Sequence, residues 1–199
     1  MDIFFHEAFT NHFIYAELVL PLPHLELSEL AYARTFVKLL TQLGSGNRKF
    51  SENLDYIQEH TGGITAGFSF NHQVNDMNRI VPTLHIKGKA LSRKADKLFS
   101  LLYDTATRPD FTDAARIKEL ILKYWSQLRD GINSNALQYA LSQSAKGHSI
   151  PFSLYEQWYG LDYYYFLKPI AQHFNKEQEG FLKELQNIVT GKQIGRAHV

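Results

Sequence analysis

Hydrophobic residues in the first third of the chain follow two different periods. Over Ser28–Leu43 the apolar positions return every three or four residues, which is typical of a helix lying against a core. These positions are Leu30, Ala33, Phe36, Val37, Leu40 and Leu43. Over Ile64–Phe70 apolar and polar residues alternate instead, which is the period of a half-buried strand. Ser28 predicts the cap of the helix, and Gly44-Ser45-Gly46 predicts its end.

The same signals predict the elements on either side of this block. Ser51 begins a second helix, and Gly62-Gly63 ends it because glycine adopts a positive φ without strain. Phe13–Leu20 alternates like a strand, and residues 3–9 alternate weakly and predict an edge strand. The polar stretch Asn71–Asn78 predicts a hairpin loop between two strands.

The second half of the chain predicts one more strand followed by helices. The strand Ile80–Ile86 contains Pro82, which favours an edge position or a bulge because proline cannot donate to a sheet ladder. Ser92 caps the next helix, and Thr112 caps a long helix whose pattern continues through Gly131.

The order β-α-α-β-β-α-α predicts an α+β fold. We expect a mostly antiparallel sheet with helices packed on one face, extended by C-terminal helices that end near residue 189. No linker-like stretch divides the chain, so residues 1–189 predict a single domain. Residues 190–199 are a polar tail without periodicity, and are either a native loop or residues added during cloning.

Aromatic residues are concentrated after Pro151, and this region predicts short helices. The density of rings exceeds what short helices need to pack onto one sheet. We therefore expect these rings to present a surface to another domain, with packing between helices of this chain as the alternative. They are Tyr155, Trp158, Tyr163, Tyr164, Tyr165 and Phe166.

Composition excludes several classes of function. The 199 residues carry 21 basic and 20 acidic side chains, and a net charge of +1 argues against a nucleic-acid or anionic-membrane surface. The absence of cysteine excludes disulfides, thiolate metal sites and cysteine nucleophiles. The first residues lack the basic region of a signal peptide, and no apolar run approaches the length of a membrane helix. We expect a soluble protein of the cytoplasm or an organelle matrix.

Motifs for catalysis or metal binding are missing from the sequence. The nine histidines include no pair at i and i+4 and no His-x-x-Glu-His, which are the spacings that bind zinc on a helix. Residues 44–49 (GSGNRK) weakly resemble a phosphate-binding loop. They follow a helix rather than a strand and lack the Gly-Lys-Ser/Thr spacing, so we reject that interpretation.

Several of these segments together resemble one family. They are the Phe13–Leu20 strand, the helix ending at Gly44-Ser45, the Gly62-Gly63-Ile64 turn, the long helix after Thr112, and Tyr159-Gly160-Leu161-Asp162-Tyr163 with Phe166-Leu167. In order and spacing they are similar to the pitrilysin/insulinase family of zinc metallopeptidases, in its presequence-protease branch. The resemblance implies repeated α+β domains in two halves that enclose a chamber. It also implies a His-x-x-Glu-His zinc motif in the first domain.

This chain resembles the third, non-catalytic domain of that family. The family's zinc helix is followed by Gly-Ser or Gly-Thr, and this pair aligns with Gly44-Ser45. The alignment places Thr35 and Leu39 where the two histidines would be, and Lys38 where the glutamate would be. The resemblance therefore implies no catalytic, cofactor-binding or metal-binding residue in this chain, with zinc only in the parent enzyme.

The expected function is a non-catalytic domain of a larger zinc metalloendopeptidase that degrades peptides inside a chamber. The domain would form part of the chamber wall and contact other domains. Its expected partners are those domains and the unstructured peptide substrate, and neither nucleic acid nor membrane. Two alternatives stay open: a stand-alone inactive interaction subunit related to processing peptidases, or an unrelated α+β enzyme with an unrecognised site.

Overall fold

Three strands of the described chain form one antiparallel sheet in which the last strand is central. The computed structural model describes residues 3–21, 26–73, 76–148 and 150–190. The strands are β1 (Phe13–Pro21), β2 (Ile64–Gln73) and β3 (Asp76–Leu91), in the order β1-β3-β2. Phe13 lies opposite Leu91 in one pair, and Ile64 lies opposite Gly88 in the other. On β1 the alternation is as predicted, because Ile14 and Leu18 turn to the more buried face.

Helices make up most of the remaining described residues. They are α1 (Leu27–Leu40), α2 (Phe50–His60), α3 (Ala95–Thr107), α4 (Ala114–Ser134), α5 (Ala136–Ala145), α6 (Ile150–Tyr159), α7 (Leu161–Gln172) and α8 (Phe174–Thr190). A 3₁₀ turn, Ser92–Lys94, precedes α3. The order of strands and helices confirms the predicted α+β class.

The chain divides into two compact units. The described part of the first, here called the sheet unit, comprises residues 3–21, 37–73, 76–111 and 187–190. The second, the helical unit, comprises residues 26–36, 112–148 and 150–186. The division falls inside α1, between Phe36 and Val37. Whether residues 1–189 behave as one domain stays a prediction.

The core of the sheet unit lies between the sheet and α3. This helix contacts β3 and β1, and its Leu98 is fully buried. Gly88 of β3 makes the close approach possible. A Cβ atom at that position would lie 2.6 Å from Cδ1 of Leu98 and 2.6 Å from Cδ1 of Ile64. Packing of α1 on the sheet stays a prediction.

The core of the helical unit is built around α7. This helix contacts both α4 and α6. Its inward side chains are bulky and apolar, and they pack where α4 and α6 also bury theirs. The fully buried members include Ile117, Ile121, Trp158, Tyr163 and Leu167.

Two sequence predictions about strands were wrong. Residues 3–9 form no strand, and Phe4, Phe5 and Phe9 are exposed there. The predicted loop at 71–78 is instead mostly strand, since β2 continues to Gln73 and β3 begins at Asp76. The two residues between them lie outside the described residues. Backbone ladder hydrogen bonds do not depend on side-chain polarity, so polar residues can extend a hairpin.

The prediction of an edge position for Pro82 was also wrong, because β3 is the central strand. Pro82 lies opposite Phe70 of β2, whereas the described pairing with β1 ends where Pro21 meets Thr83. The proline therefore stands just beyond the point where β3 has described partners on both sides. The register shift of the sheet occurs elsewhere, between His72 and Gln73.

The limits of α1 differ from the prediction by a few residues at each end. The helix begins at Leu27, so Ser28 lies inside its first turn and not at the cap position. Glu29 of the same turn accepts the Glu26 amide at 2.9 Å. The helix ends at Leu40 rather than Leu43.

The limits of α4 and of the C-terminal region also differ. Asp113, not Thr112, caps α4, because its Oδ1 accepts the Arg116 amide at 3.0 Å. The long helix passes Gly131 as predicted and then ends at Ser134. Of the predicted tail, residues 191–199 lie outside the described residues.

A buried glutamate fixes the junction of α6 and α7. Glu156 is fully buried, and its carboxyl group accepts the Leu161 amide at 3.0 Å and the Ser142 hydroxyl. Gly160 packs directly against this carboxyl group. A Cβ atom at position 160 would overlap with Oε2 of Glu156, so a larger residue would have to displace a carboxyl group that its hydrogen bonds hold in place.

We therefore expect Gly160→Ala to lower the free energy of unfolding by about 1–3 kcal/mol, the range for overpacking a filled core. Gly180→Ala is the matched control, because a Cβ at position 180 of α8 meets nothing within 4 Å. That change should raise stability by up to about 1 kcal/mol, since alanine favours helix. Urea denaturation measures both. In the Glu156→Ala background the Gly160→Ala penalty should shrink, and an unchanged penalty there would contradict the steric explanation.

Candidate functional site

Helix α1, which the resemblance places in the position of the family's zinc helix, has buried side chains at the two positions where that motif has histidines. Thr35 and Leu39 lie four residues apart on α1, so their side chains project from the same side. Both side chains are fully buried, whereas Lys38 is partly exposed. Positions that would need access to substrate and water are therefore inside the protein.

The Thr35 hydroxyl is fully engaged within the helical unit. It donates to the Ala31 carbonyl at 2.9 Å and lies 3.0 Å from the Tyr163 hydroxyl. Because the threonine proton goes to Ala31, the tyrosine is the donor of the second bond. Burial raises the pKa of Tyr163 well above its ordinary value, which keeps the phenol protonated as this bond requires.

These residues do not fit a zinc ion. Zinc in proteins takes imidazole, thiolate or carboxylate ligands, and the Leu39 side chain has no lone pair to offer. The ammonium group of Lys38 would repel a metal cation. Across the described part of the chain, no group of three or more His, Asp or Glu side chains could hold a metal. That the chain has no catalytic residue stays a prediction.

Three amides of the loop after α1 donate to carbonyl groups of the protein. Ser45 N–H donates to the Arg48 carbonyl and Arg48 N–H donates back to Ser45, both at 3.1 Å. Gly46 N–H donates to the Arg108 carbonyl at 2.9 Å. A phosphate-binding loop needs free amides that point at the ligand, so these bonds agree with rejecting that interpretation.

A buried carboxylate holds this loop in place. Asp104 of α3 is buried and accepts bonds from Arg48, at 2.8 Å, and from Arg108. Gly46 has a positive φ of 63° and packs against the same group. A Cβ atom there would lie 2.7 Å from Asp104 Oδ2. The Asp104 carboxylate thus holds the loop in its conformation through two arginines, and it leaves little room for a side chain at position 46.

Asn53 of α2 extends this network to the turn that follows α1. Its Oδ1 accepts the Ser45 hydroxyl at 2.9 Å and the Arg48 Nε at 3.1 Å. Its Nδ2 donates to the Leu43 carbonyl at 3.1 Å. Asn53 and Ser45 are both buried, so these bonds satisfy groups that water does not reach.

Rings of the aromatic region divide between core and surface. Trp158 and Tyr163 are fully buried, so the expectation that they face another domain was wrong. Tyr155 and Tyr165 are exposed, and Tyr164 and Phe166 are intermediate. Much of the aromatic density therefore serves the core of the helical unit, where Tyr163 stacks on Phe166 with ring centres 6.2 Å apart.

One further polar cluster lies on the sheet. Nδ1 of His85 bonds to Glu17, and its Nε2 lies 2.7 Å from the Thr83 hydroxyl. The His85 bond lowers the pKa of Glu17, and Lys87 at 3.0 Å adds to the effect. The order carboxylate, imidazole, hydroxyl resembles a nucleophile relay. Thr83 is only 8% exposed, so its hydroxyl has no room for a substrate carbonyl.

Sequence reasoning missed the side chains that complete these networks. Tyr163 lies in a segment that carried the resemblance, yet no local pattern shows that it reaches Thr35, 128 residues away. Asp104 and Glu156 have the sequence context of ordinary helix-surface charges. The adjacent glycines, Gly46 and Gly160, were the available signal that a side chain packs closely there.

The described residues include no helix long and apolar enough to span a bilayer.

Comparison with known proteins gives one family and a set of longer relatives. The family model matches residues 1–170 and describes a region associated with peptidases of metallopeptidase family 16, subfamily C. Presequence protease 1, chloroplastic/mitochondrial, of Arabidopsis thaliana is 25% identical over 183 residues, which is 92% of this chain and 17% of that protein. The mitochondrial presequence protease of Danio rerio is 24% identical over 82% of this chain and 16% of its own length.

A bacterial protein is equally similar. Protein HypA of Clostridium perfringens is 25% identical over 94% of this chain and 19% of its own length. The chain therefore spans less than a fifth of the length of each of these relatives. The family match covers most of the chain, including α1 and the α6–α7 junction.

Removal of the Asp104 carboxylate should destabilise the sheet unit. We expect Asp104→Ala to lower the free energy of unfolding by about 2–4 kcal/mol, since each of two guanidinium groups loses its ion-pair partner. Asp55→Ala, at an exposed position of α2, is the control and should change it by less than about 0.5 kcal/mol. Urea denaturation followed by circular dichroism measures both. Equal effects of the two changes would show that the network contributes nothing.

Alkaline pH should destabilise the protein through buried tyrosines. Burial raises the pKa of Tyr124 to about 12 and that of Tyr163 further, from an ordinary 10.0. Below pH 10 this contribution is complete, and it is lost as pH rises through the folded-state values. Tyr163→Phe should cost about 1 kcal/mol at neutral pH, because Thr35 keeps its bond to Ala31.

The pH dependence of stability distinguishes burial of the neutral Tyr163 phenol from simple packing of its ring. Above pH 10 the Tyr163→Phe variant should lose stability less steeply than the unchanged protein, whereas exposed Tyr165→Phe should behave like the unchanged protein. Urea midpoints between pH 8 and about pH 12 make the comparison. Identical slopes for all three proteins would contradict the assignment of a buried neutral phenol.

Proposed function

The chain belongs to the family of regions associated with subfamily C of metallopeptidase family 16, and on that premise we propose that it is a non-catalytic domain of a larger zinc metalloendopeptidase. Its role in that enzyme is to form part of the wall of a chamber in which peptides are degraded, and to contact the neighbouring domains. Two of the relatives are named presequence proteases, and each is more than five times as long as the matched segment.

One observation carries this proposal more than any other. The face of α1 that aligns with the zinc motif has no metal ligand, and the side chains at its two histidine positions, Thr35 and Leu39, are fully buried. The Thr35 hydroxyl is committed to Ala31 and Tyr163. A helix with this face closed supports a structural role and not peptide hydrolysis by this chain.

Zinc would then bind, and peptide would be cleaved, in another domain of the parent enzyme. The resemblance implies a His-x-x-Glu-His helix in an upstream domain, where zinc supplies the Lewis acidity for peptide hydrolysis. Unstructured peptide would be the substrate of the assembled chamber. The near-neutral charge of +1 supports neighbouring domains as partners in preference to nucleic acid or an anionic membrane. The compartment would be that of the parent enzyme.

The test compares this chain alone with the full polypeptide encoded around it. Purified without chelator, the chain alone should hold substoichiometric zinc and should not cleave a quenched, unstructured peptide. The full polypeptide should contain an upstream His-x-x-Glu-His and should cleave the peptide in a chelator-sensitive way. Elemental analysis and fluorescence measure these outcomes.

A matched pair of variants sharpens the comparison. In the full polypeptide, exchange of the upstream glutamate should abolish cleavage, whereas Lys38→Gln should leave it unchanged, because Lys38 has no catalytic role. One tightly held zinc per isolated chain, with chelator-sensitive cleavage, would contradict the proposal. A gene without any upstream zinc motif would instead favour the stand-alone interaction subunit.

A further inference from the structure

Two adjacent helices of the helical unit expose large apolar side chains. On α5, Leu137 is 75% exposed and Leu141 is 62% exposed, and their i, i+4 spacing places them on one face. On α6, Phe152 is 49% exposed and Tyr155 is 41% exposed. Single exposed apolar residues are normal on protein surfaces, whereas a cluster on neighbouring helices indicates an interaction site.

The two helices that carry these four side chains are held against each other. The helices are in contact, and the Ser142 hydroxyl of α5 donates to the Glu156 carboxyl of α6. This bond lies one residue beyond Leu141 on one helix and one residue beyond Tyr155 on the other. We call Leu137, Leu141, Phe152 and Tyr155 the α5–α6 surface.

None of the four side chains of the α5–α6 surface is charged, and Lys146 at the end of α5 already pairs with Asp162. Residues 135–145 contain no ionisable side chain except that of Tyr139, and the only carboxyl group of α6 is that of Glu156, which is fully buried. Helix α8 of the same unit, in contrast, carries charged side chains, as solvent-exposed helices usually do. It carries Lys176, Glu177, Glu179, Lys183 and Glu184. Leucine and aromatic residues without charge are typical of the centre of a protein interface and not of a solvated helix face.

The absence of charge also restricts what can bind there. A charged partner surface would lose its hydration against the α5–α6 surface and gain no counter-charge in return. An anionic membrane would find no basic residue on these two helices to attract it. The fitting partner is therefore another apolar, uncharged protein surface.

The lengths of the relatives indicate which part of the protein supplies such a partner surface. More than four-fifths of each relative lies outside the segment that matches this chain. The α5–α6 surface lies inside the family match to residues 1–170, and the matching segment of each relative is part of a single long polypeptide. A neighbouring domain of that polypeptide is present at high effective concentration, which favours it over a separate molecule.

We infer that the α5–α6 surface is the docking site for an uncharged apolar face of another domain of the same polypeptide. This inference rests on the proposed function and goes beyond it, since it names the surface through which the domain is held. Docking would bury the four side chains and add stability that the isolated chain lacks.

Cysteine labelling tests the inference directly, because this chain has no cysteine of its own. Leu141→Cys is placed in the isolated chain and in the full polypeptide, and labelling by a maleimide is followed peptide by peptide with mass spectrometry. Labelling of that position should be at least about tenfold slower in the full polypeptide, because docking closes access to it. Glu179→Cys on the charged face of α8 is the control and should label equally fast in both.

A second variant measures the contribution of the surface to stability. Leu137→Glu with Leu141→Glu should leave the melting temperature of the isolated chain unchanged, since both side chains are exposed there. The same pair should lower the melting temperature of the full polypeptide, because two charges would then be buried at the interface.

Equal labelling of Leu141→Cys in the two proteins would overturn the inference. Protection that appears in the isolated chain as its concentration rises would also overturn it, by assigning the surface to a second copy. Protection in a full polypeptide that shows no chelator-sensitive cleavage would support the docking site while refuting the proposed function. The two proposals therefore fail separately.

Discussion

Burial of the apolar side chains along α1 is the constraint on which the rest of this structure depends. A helix in that position has to fill its surroundings with apolar side chains, and it does so with Leu30, Ala33, Phe36, Val37, Leu39 and Leu40. A polar side chain that is fully buried on this helix needs a partner inside the protein, because water does not reach it. Thr35 meets that requirement through Ala31 and Tyr163. The same burial removes the open face that a metal site needs.

Both units bury a carboxyl group and stabilise it with hydrogen-bond donors. Each encloses a carboxyl group, Asp104 in the sheet unit and Glu156 in the helical unit, and each surrounds it with donors. In both cases a glycine lies against the carboxyl group because a Cβ atom there would overlap with it. Burying an acid is costly unless its oxygens are bonded, so the donors and the glycine have to be present together. These two clusters fix the turns that join the helices.

The sequence predicted features that depend on local pattern and missed those that depend on distant partners. All six apolar positions assigned to the first helix are buried, since a 3.6-residue period reports one face directly. The alternation of residues 3–9 was misleading because a strand also needs a partner, which no local pattern shows. Asn135 separates α4 from α5 without glycine or proline, so the break had no signal. The Thr35–Tyr163 bond spans 128 residues and was equally inaccessible.

The apolar side chains of α1 and those of α5 and α6 differ in their exposure to water. A catalytic helix has to keep one face open to water and substrate, at a cost in buried area. Here that face is closed, and large exposed apolar side chains of the helical unit lie instead on α5 and α6. Exposed apolar area without charge is unfavourable in water and becomes favourable only when another surface covers it. The chain therefore combines a closed face on α1 with uncharged, exposed apolar side chains on α5 and α6.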